Sequence, residues 1–151
     1  MIEKDLSMEQ LMPLMRESLN AGKTVRFSPR GVSMLPMLRQ GKDSVVLSPL
    51  PEKLQKYDLP LYQRKNGQYV LHRVIASGET YTCMGDNQFS PEPGLEHSQM
   101  IGLVTAFYRG EKCHSVAEPG YRLYCRVWYR TRKLRHFCMR SLRWLKRHLK
   151  R

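Results

Sequence analysis

The spacing of apolar residues at the start of the chain predicts a short helix. Apolar side chains recur at helical intervals at Leu11, Leu14, Met15 and Leu19. Ser7 stands at the N-cap position with Gln10 three residues later, which is the pattern of a capping box, and Leu6 would form a hydrophobic staple with the first of these leucines. Gly22 is a natural helix end. We expect this helix to pack at the edge of the domain.

After Gly22 the pattern changes to short runs that are rich in β-branched and aromatic residues, which predicts strands. The predicted strands are residues 24–27, 44–47, 59–63, 69–75, 80–84 and 101–108. Turn-forming clusters such as Lys65-Asn66-Gly67 separate them, and Pro119-Gly120 marks a further boundary. The sequence therefore predicts a mainly β protein with an N-terminal helix (1–22), a β domain (23–118) and a C-terminal tail (119–151).

Charge is distributed unevenly between these segments. The chain has 26 Lys and Arg against 13 Asp and Glu, and 12 of the basic residues but none of the acids lie in residues 121–151. The remaining 120 residues carry 14 basic and 13 acidic side chains and are close to neutral. This distribution argues against a uniformly basic nucleic-acid-binding core, and the 41% apolar content argues against wholesale disorder.

The sequence lacks three features that would indicate a membrane-spanning, exported or metal-binding protein. The longest stretch without a charged residue is 97–108, whereas a bilayer span needs about 18–20 apolar residues. The first five residues lack the basic n-region of a signal peptide. The four cysteines (Cys83, Cys113, Cys125 and Cys138) form no C-x-x-C pair, so we expect reduced thiols, no metal and no other cofactor. A cytoplasmic location is expected, with peripheral attachment to a membrane as an option.

Three short segments carry candidate chemistry. Ser33 lies in a glycine-containing turn between two predicted strands, and Gly31 permits close backbone approach, although a turn without catalytic function has the same pattern. His72 shares one face of its strand with two valines, where an imidazole is either a satisfied core group or a working base. Asp86 lies in the turn Met84-Gly85-Asp86-Asn87, which is also a common turn sequence.

Together these segments resemble the type I signal peptidase family and its relatives among the LexA-like self-cleaving repressors. Ser33-Met34 with Pro36 resembles the nucleophile box, and Gly85-Asp86-Asn87 matches the G-D-N box. The other similar segments are residues 41–45, with Lys42 inserted, and residues 57–62, 70–75 and 101–104. The resemblance covers about residues 24–108, with the boxes in the family's order, and it implies a signal peptidase/LexA-like β-fold.

The resemblance also implies a mechanism. His72 occupies the position of the general base, as in the microsomal and sporulation-type members, where the other branches carry lysine. By resemblance, Ser33 is the nucleophile, His72 its base, and Asp86 the residue that orients the histidine, with Glu92 as the alternative acid. Gly31 stands where signal peptidases commonly have a second serine, so the oxyanion would rely on backbone N–H groups such as that of Ser33.

The tail resembles no box of that family, but it has helical periodicity. An apolar stripe within about an 80° arc comprises Val127, Leu134, Cys138, Leu142, Leu145 and Leu149. Aromatic residues flank it at Tyr124, Trp128, Phe137 and Trp144, and Lys and Arg occupy the other faces. This composition favours attachment to an anionic membrane surface. Packing of the stripe on the β domain is one alternative, and binding of nucleic acid is a less favoured one because no RNA-stacking motif is present.

These patterns lead to one main hypothesis and two rivals. The main hypothesis is a serine endopeptidase that acts on a peptide or protein substrate through Ser33 and His72. The first rival is a non-catalytic descendant of the same fold that binds a membrane or nucleic acid through its tail. The second rival is LexA-like self-cleavage, which is disfavoured because no helix-turn-helix domain is visible upstream of the β domain.

Overall fold

A computed structural model describes residues 7–148, so the predicted contacts of Leu6 and Leu149 lie outside the described residues. Three α-helices are present in this range: α1 (Met8–Asn20), α2 (Pro119–Arg130) and α3 (Arg132–His148). The strands are β1 (Val25–Phe27), β2 (Asp43–Ser48), β3 (Pro60–Gln63), β4 (Tyr69–Leu71), β5 (Arg73–Ser77), β6 (Tyr81–Met84), β7 (Glu92–Leu95), β8 (Met100–Arg109) and β9 (Lys112–Ser115). A 3-10 turn, His97–Gln99, precedes β8.

The strands form two antiparallel sheets. The first has the order β1-β2-β8-β3-β4, and β9 extends it by pairing with β8. The second is the three-stranded sheet β5-β6-β7. The described chain is therefore mixed, with two antiparallel sheets and three helices, and strands dominate its central part.

The described residues form two buried cores. Helix α1, capped by the predicted Ser7–Gln10 capping box, packs Met12, Met15 and Leu19 into the core of the first sheet. The second core contains side chains of both sheets, with Tyr62 of β3 and Val74 of β5 fully buried. The candidate active site lies where these two cores meet.

The predicted strand over residues 69–75 is interrupted at His72. Strand β4 ends before the histidine and belongs to the first sheet, whereas β5 begins after it and belongs to the second. The alternation of side chains persists through the break, because Val70 and Val74 lie in one core and Leu71 lies in the other. His72 is consequently held at the junction of the two sheets, with only 3% of its surface exposed.

The tail differs from the single helix that its periodicity predicts. Helices α2 and α3 meet at Thr131, and α2 packs on the β domain with Cys125 buried. The side chains of Tyr124 and Trp128 donate hydrogen bonds to Asp86 of the β domain, so they do not flank an exposed stripe. The stripe side chains of α3 are exposed, which contradicts the alternative that they pack on the domain. No helix in residues 7–148 is long and apolar enough to cross a membrane.

Candidate active site

Ser33 and His72 line the same surface cavity, which has a volume of about 450 Å³. Ser33 lies in the loop between β1 and β2 and is half-buried. Gly31 lines the cavity as well and has a φ of 93°, a left-handed conformation that favours glycine. The structure therefore brings the predicted nucleophile and the predicted base to one cavity. No hydrogen bond joins their side chains in the part of the chain that is described.

The Gly85-Asp86-Asn87 loop holds the Ser33 loop in place. The backbone N–H of Asn87 donates to the carbonyl oxygen of Ser33 at 2.8 Å, and its side-chain amide donates to the carbonyl of Val32 at 3.2 Å. A Cβ at Gly85 would lie 2.6 Å from the Ser33 carbonyl oxygen, so no larger residue fits there without displacing the loop. The loop therefore supports the serine through a close approach of two backbones.

A chain of polar contacts fixes the tautomer of His72. Its Nδ1 atom lies 3.3 Å from the hydroxyl of Tyr62, and this hydroxyl donates to Glu92 Oε2 at 2.8 Å. Arg64 holds the Glu92 carboxylate through two bonds of 2.7 and 2.8 Å and lowers its pKa, so the carboxylate is ionised and accepts. Because the single hydroxyl proton of Tyr62 goes to Glu92, the tyrosine oxygen accepts from His72 Nδ1–H. The other nitrogen, Nε2, is then free to accept a proton.

The surroundings of His72 keep it neutral at physiological pH. Burial at the sheet junction lowers its pKa from 6.5 to about 4, and the positive charge of Arg64 acts in the same direction. The negative charges of Glu92 and Asp86 oppose this shift only in part. Neutral imidazole is the form that accepts a proton from a serine hydroxyl.

Asp86 does not take the position that the resemblance implies. Its carboxylate accepts two bonds of 2.8 Å from the guanidinium of Arg73 and a third, also 2.8 Å, from the hydroxyl of Tyr124. Arg73 follows His72 in sequence and points to the opposite side of the strand. This is a correction to the sequence-based assignment: Asp86 orients Arg73, and Glu92 is the acid connected to His72, through Tyr62.

Arg73 joins several elements beneath the site. Only 2% of its surface is exposed, and beyond the Asp86 carboxylate it donates to the carbonyl of Tyr57 and the hydroxyl of Tyr121. It also contacts the sulfur atoms of Met37 and Cys125 at 3.2 and 3.0 Å. The ion pair therefore attaches helix α2 to the region from which the Ser33 and Asp86 loops emerge.

Sequence reasoning missed several of these supporting residues. Arg73 was detectable, because an arginine inside an otherwise apolar strand needs an acidic partner. The roles of Gly85 and Asn87 follow from a close approach between two loops, which no local pattern encodes. Tyr62 reaches His72 and Glu92, and Arg64 reaches Glu92, only because the two sheets pack together and bring β3 beside the histidine and β7.

The described residues contain no group of three or more His, Cys, Asp or Glu side chains that could hold a metal ion. All four cysteines are free thiols.

A comparison of the chain with models of protein families finds no matching family, and a comparison with curated proteins finds no matching relative. The family resemblance of the sequence boxes thus stays a prediction.

Proposed function

We propose that this protein is a serine endopeptidase with Ser33 as nucleophile and His72 as general base. The observation that carries the proposal is that both residues line one cavity while Tyr62 and Glu92 occupy Nδ1 of the histidine. A base prepared in this way has its second nitrogen available for the serine proton. Serine–histidine acyl transfer is the reaction for which this pair of groups is suited.

In the proposed reaction, Ser33 Oγ attacks the carbonyl carbon of a peptide bond as its proton moves to His72 Nε2. The resulting oxyanion accepts hydrogen bonds from backbone N–H groups of the Ser33 loop, since Gly31 offers no hydroxyl. The histidine then gives its proton to the leaving amine as the C–N bond breaks. Water hydrolyses the acyl-enzyme by the same route, and the ionised Glu92, through Tyr62, stabilises the charged imidazolium in both halves.

The test is covalent labelling with a fluorophosphonate probe, followed by mapping of the labelled residue. We expect labelling at Ser33 that is lost in Ser33→Ala and retained in the matched control Ser18→Ala, a half-buried serine of helix α1. Labelling should persist down to about pH 5, because the pKa of His72 is lowered to about 4. Labelling at another residue, or none, would overturn the proposal.

A second candidate is a non-catalytic binding module of the same fold. The exposed basic helix α3 favours it, as does the lack of a Ser33–His72 hydrogen bond in the described chain. Under this hypothesis the probe labels nothing, even with lipid vesicles present. Any affinity of the tail for a membrane or nucleic acid is then the same in wild type and in Ser33→Ala. Labelling at Ser33 that depends on His72 excludes this candidate.

A further inference from the structure

Helix α3 separates apolar and basic side chains onto opposite sides. At about 100° per residue, a sector of roughly 160° contains no Lys or Arg and is here called the outer face. Its members are Leu134, Phe137, Cys138, Ser141, Leu142, Trp144, Leu145 and His148. The rest of the circumference carries Arg132, Lys133, Arg135, Arg140, Arg143, Lys146 and Arg147.

The outer face points away from the β domain. The partly buried side chains of α3 are Arg132, Arg135 and Met139, and at about 100° per residue they lie outside the outer face, roughly 100–160° from its centre. Phe137 and Trp144, by contrast, are 69% and 60% exposed. A water-exposed row of large apolar side chains on a 17-residue helix is unusual unless it serves as an interaction surface.

The beginning of α3 is fixed to the protein close to the candidate active site. The guanidinium of Arg135 lies 3.6 Å above the ring of Trp128 and donates to its carbonyl at 2.7 Å. The rings of His136 and Phe89 stack with their centres 4.5 Å apart. Phe89 follows Gln88, which lines the cavity with Ser33. The outer face thus has a set orientation relative to this cavity.

We propose that α3 binds the surface of an anionic lipid bilayer, with its outer face at the boundary of headgroups and acyl chains. The basic side chains that border this face then reach the negative headgroups with their charged ends while their aliphatic stems lie in the interface. Residues 119–151 contain no acidic side chain to weaken this attraction. The proposal does not depend on the activity of Ser33.

Two other partners fit the helix less well. A second copy, paired through the outer face, would bring together two helices that each carry seven Lys and Arg and no acid. A nucleic acid would attract the basic side, and a single strand could stack bases on Phe137 and Trp144, but neither form has an apolar interior for the exposed leucines of the outer face. An anionic bilayer surface offers negative headgroups to the basic side chains and an apolar interior to both the leucines and the aromatic residues.

The test is co-sedimentation of the full chain with vesicles of phosphatidylcholine and phosphatidylglycerol in equal parts. We expect binding that weakens at least 100-fold on vesicles of phosphatidylcholine alone, because the basic residues then lose their partners. The double variant Phe137→Ser/Trp144→Ser should also bind about 100-fold more weakly than wild type. Leu14→Ser is the matched control, since Leu14 of helix α1 is as exposed as Leu134, at 63%, and should leave binding unchanged.

Tryptophan fluorescence provides an independent readout. Trp144 is exposed, whereas Trp128 is bonded to the domain, so the blue shift on vesicle binding should vanish in Trp144→Phe while binding persists. Failure to bind anionic vesicles would overturn the proposal. So would binding that the double serine variant leaves intact, tighter binding to a single-stranded RNA of equal charge, or a dimer that forms through the same aromatic residues without lipid.

Discussion

Replacement of Asp86 by alanine separates a structural role from a catalytic one. In the structure the carboxylate accepts two hydrogen bonds from the guanidinium of Arg73, each of 2.8 Å. Both side chains are almost fully buried, with 3% of the Arg73 side chain and 2% of the Asp86 side chain exposed. Asp86→Ala would leave a buried guanidinium without its counter-charge. The remaining oxygen acceptors of that guanidinium are the Tyr57 carbonyl and the Tyr121 hydroxyl, which are uncharged.

The expected loss is large for a single substitution. Removal of one partner from a buried ion pair costs about 3–5 kcal/mol. For a protein of this size, 1 kcal/mol corresponds to a change of about 2–4 °C in melting temperature, so Asp86→Ala should melt roughly 6–20 °C below wild type. The matched control is Asp43→Ala. Its partner Arg39 is 47% exposed and can be rehydrated, so we expect less than half of that loss.

The measurement is thermal unfolding followed by circular dichroism, with probe labelling at a temperature where each variant is folded. The double variant Arg73→Met/Asp86→Leu should recover part of the lost stability, because it removes both buried charges together. The structural interpretation is refuted if Asp86→Ala melts within about 2 °C of wild type and yet is no longer labelled at Ser33. In that case Asp86 acts on the reaction, as the sequence resemblance implies.

Three further predictions concern the support of the site. Tyr62→Phe removes the hydroxyl that connects His72 to Glu92, and probe labelling should slow about tenfold or more with the protein still folded; unchanged labelling would contradict the assigned tautomer. Gly85→Ala places a Cβ 2.6 Å from the Ser33 carbonyl and should slow labelling by more than about tenfold, which a time course of labelling would show. Between pH 6.5 and 4 the unfolded chain takes up the His72 proton and the folded chain does not, so this residue should lower the free energy of unfolding by up to about 3 kcal/mol as pH falls. Urea unfolding across this pH range should give a smaller decline in His72→Gln than in wild type.

Local patterns predicted most of the secondary structure. The capping box at Ser7 is confirmed, and each predicted strand corresponds to observed strand structure, with residues 69–75 divided between two sheets. Strand β7 was missed because Glu92-Pro93-Gly94-Leu95 contains two residues that are unfavourable in strands. The interruption at His72 follows from the packing of two sheets, and the alternation of apolar residues continues across it without a signal.

The partners of charged residues were harder to predict than their positions. The alternation of side chains along the strand correctly placed His72 and Arg73 on opposite faces. It could not predict which acidic residue pairs with each of them. That assignment depends on which strand or loop crosses each face of the chain after the sheets have packed. The G-D-N turn reaches the Arg73 side, while β7 brings Glu92 to the side of Tyr62 and the histidine. A resemblance of sequence boxes gives the order of such residues along the chain and leaves their pairing open.

Helix α2 belongs to the support of the candidate site although the sequence places it in the tail. Tyr124 donates to the carboxylate of Asp86, and the indole N–H of Trp128 donates to the backbone carbonyl of the same residue at 2.7 Å. The neighbouring residues of that loop, Gly85 and Asn87, hold the Ser33 loop directly. The predicted boundary at Pro119-Gly120 coincides with the start of helix α2, and this helix packs on the β domain. Because α3 continues from α2, a surface bound by α3 is connected to Ser33 through two helices and one short loop.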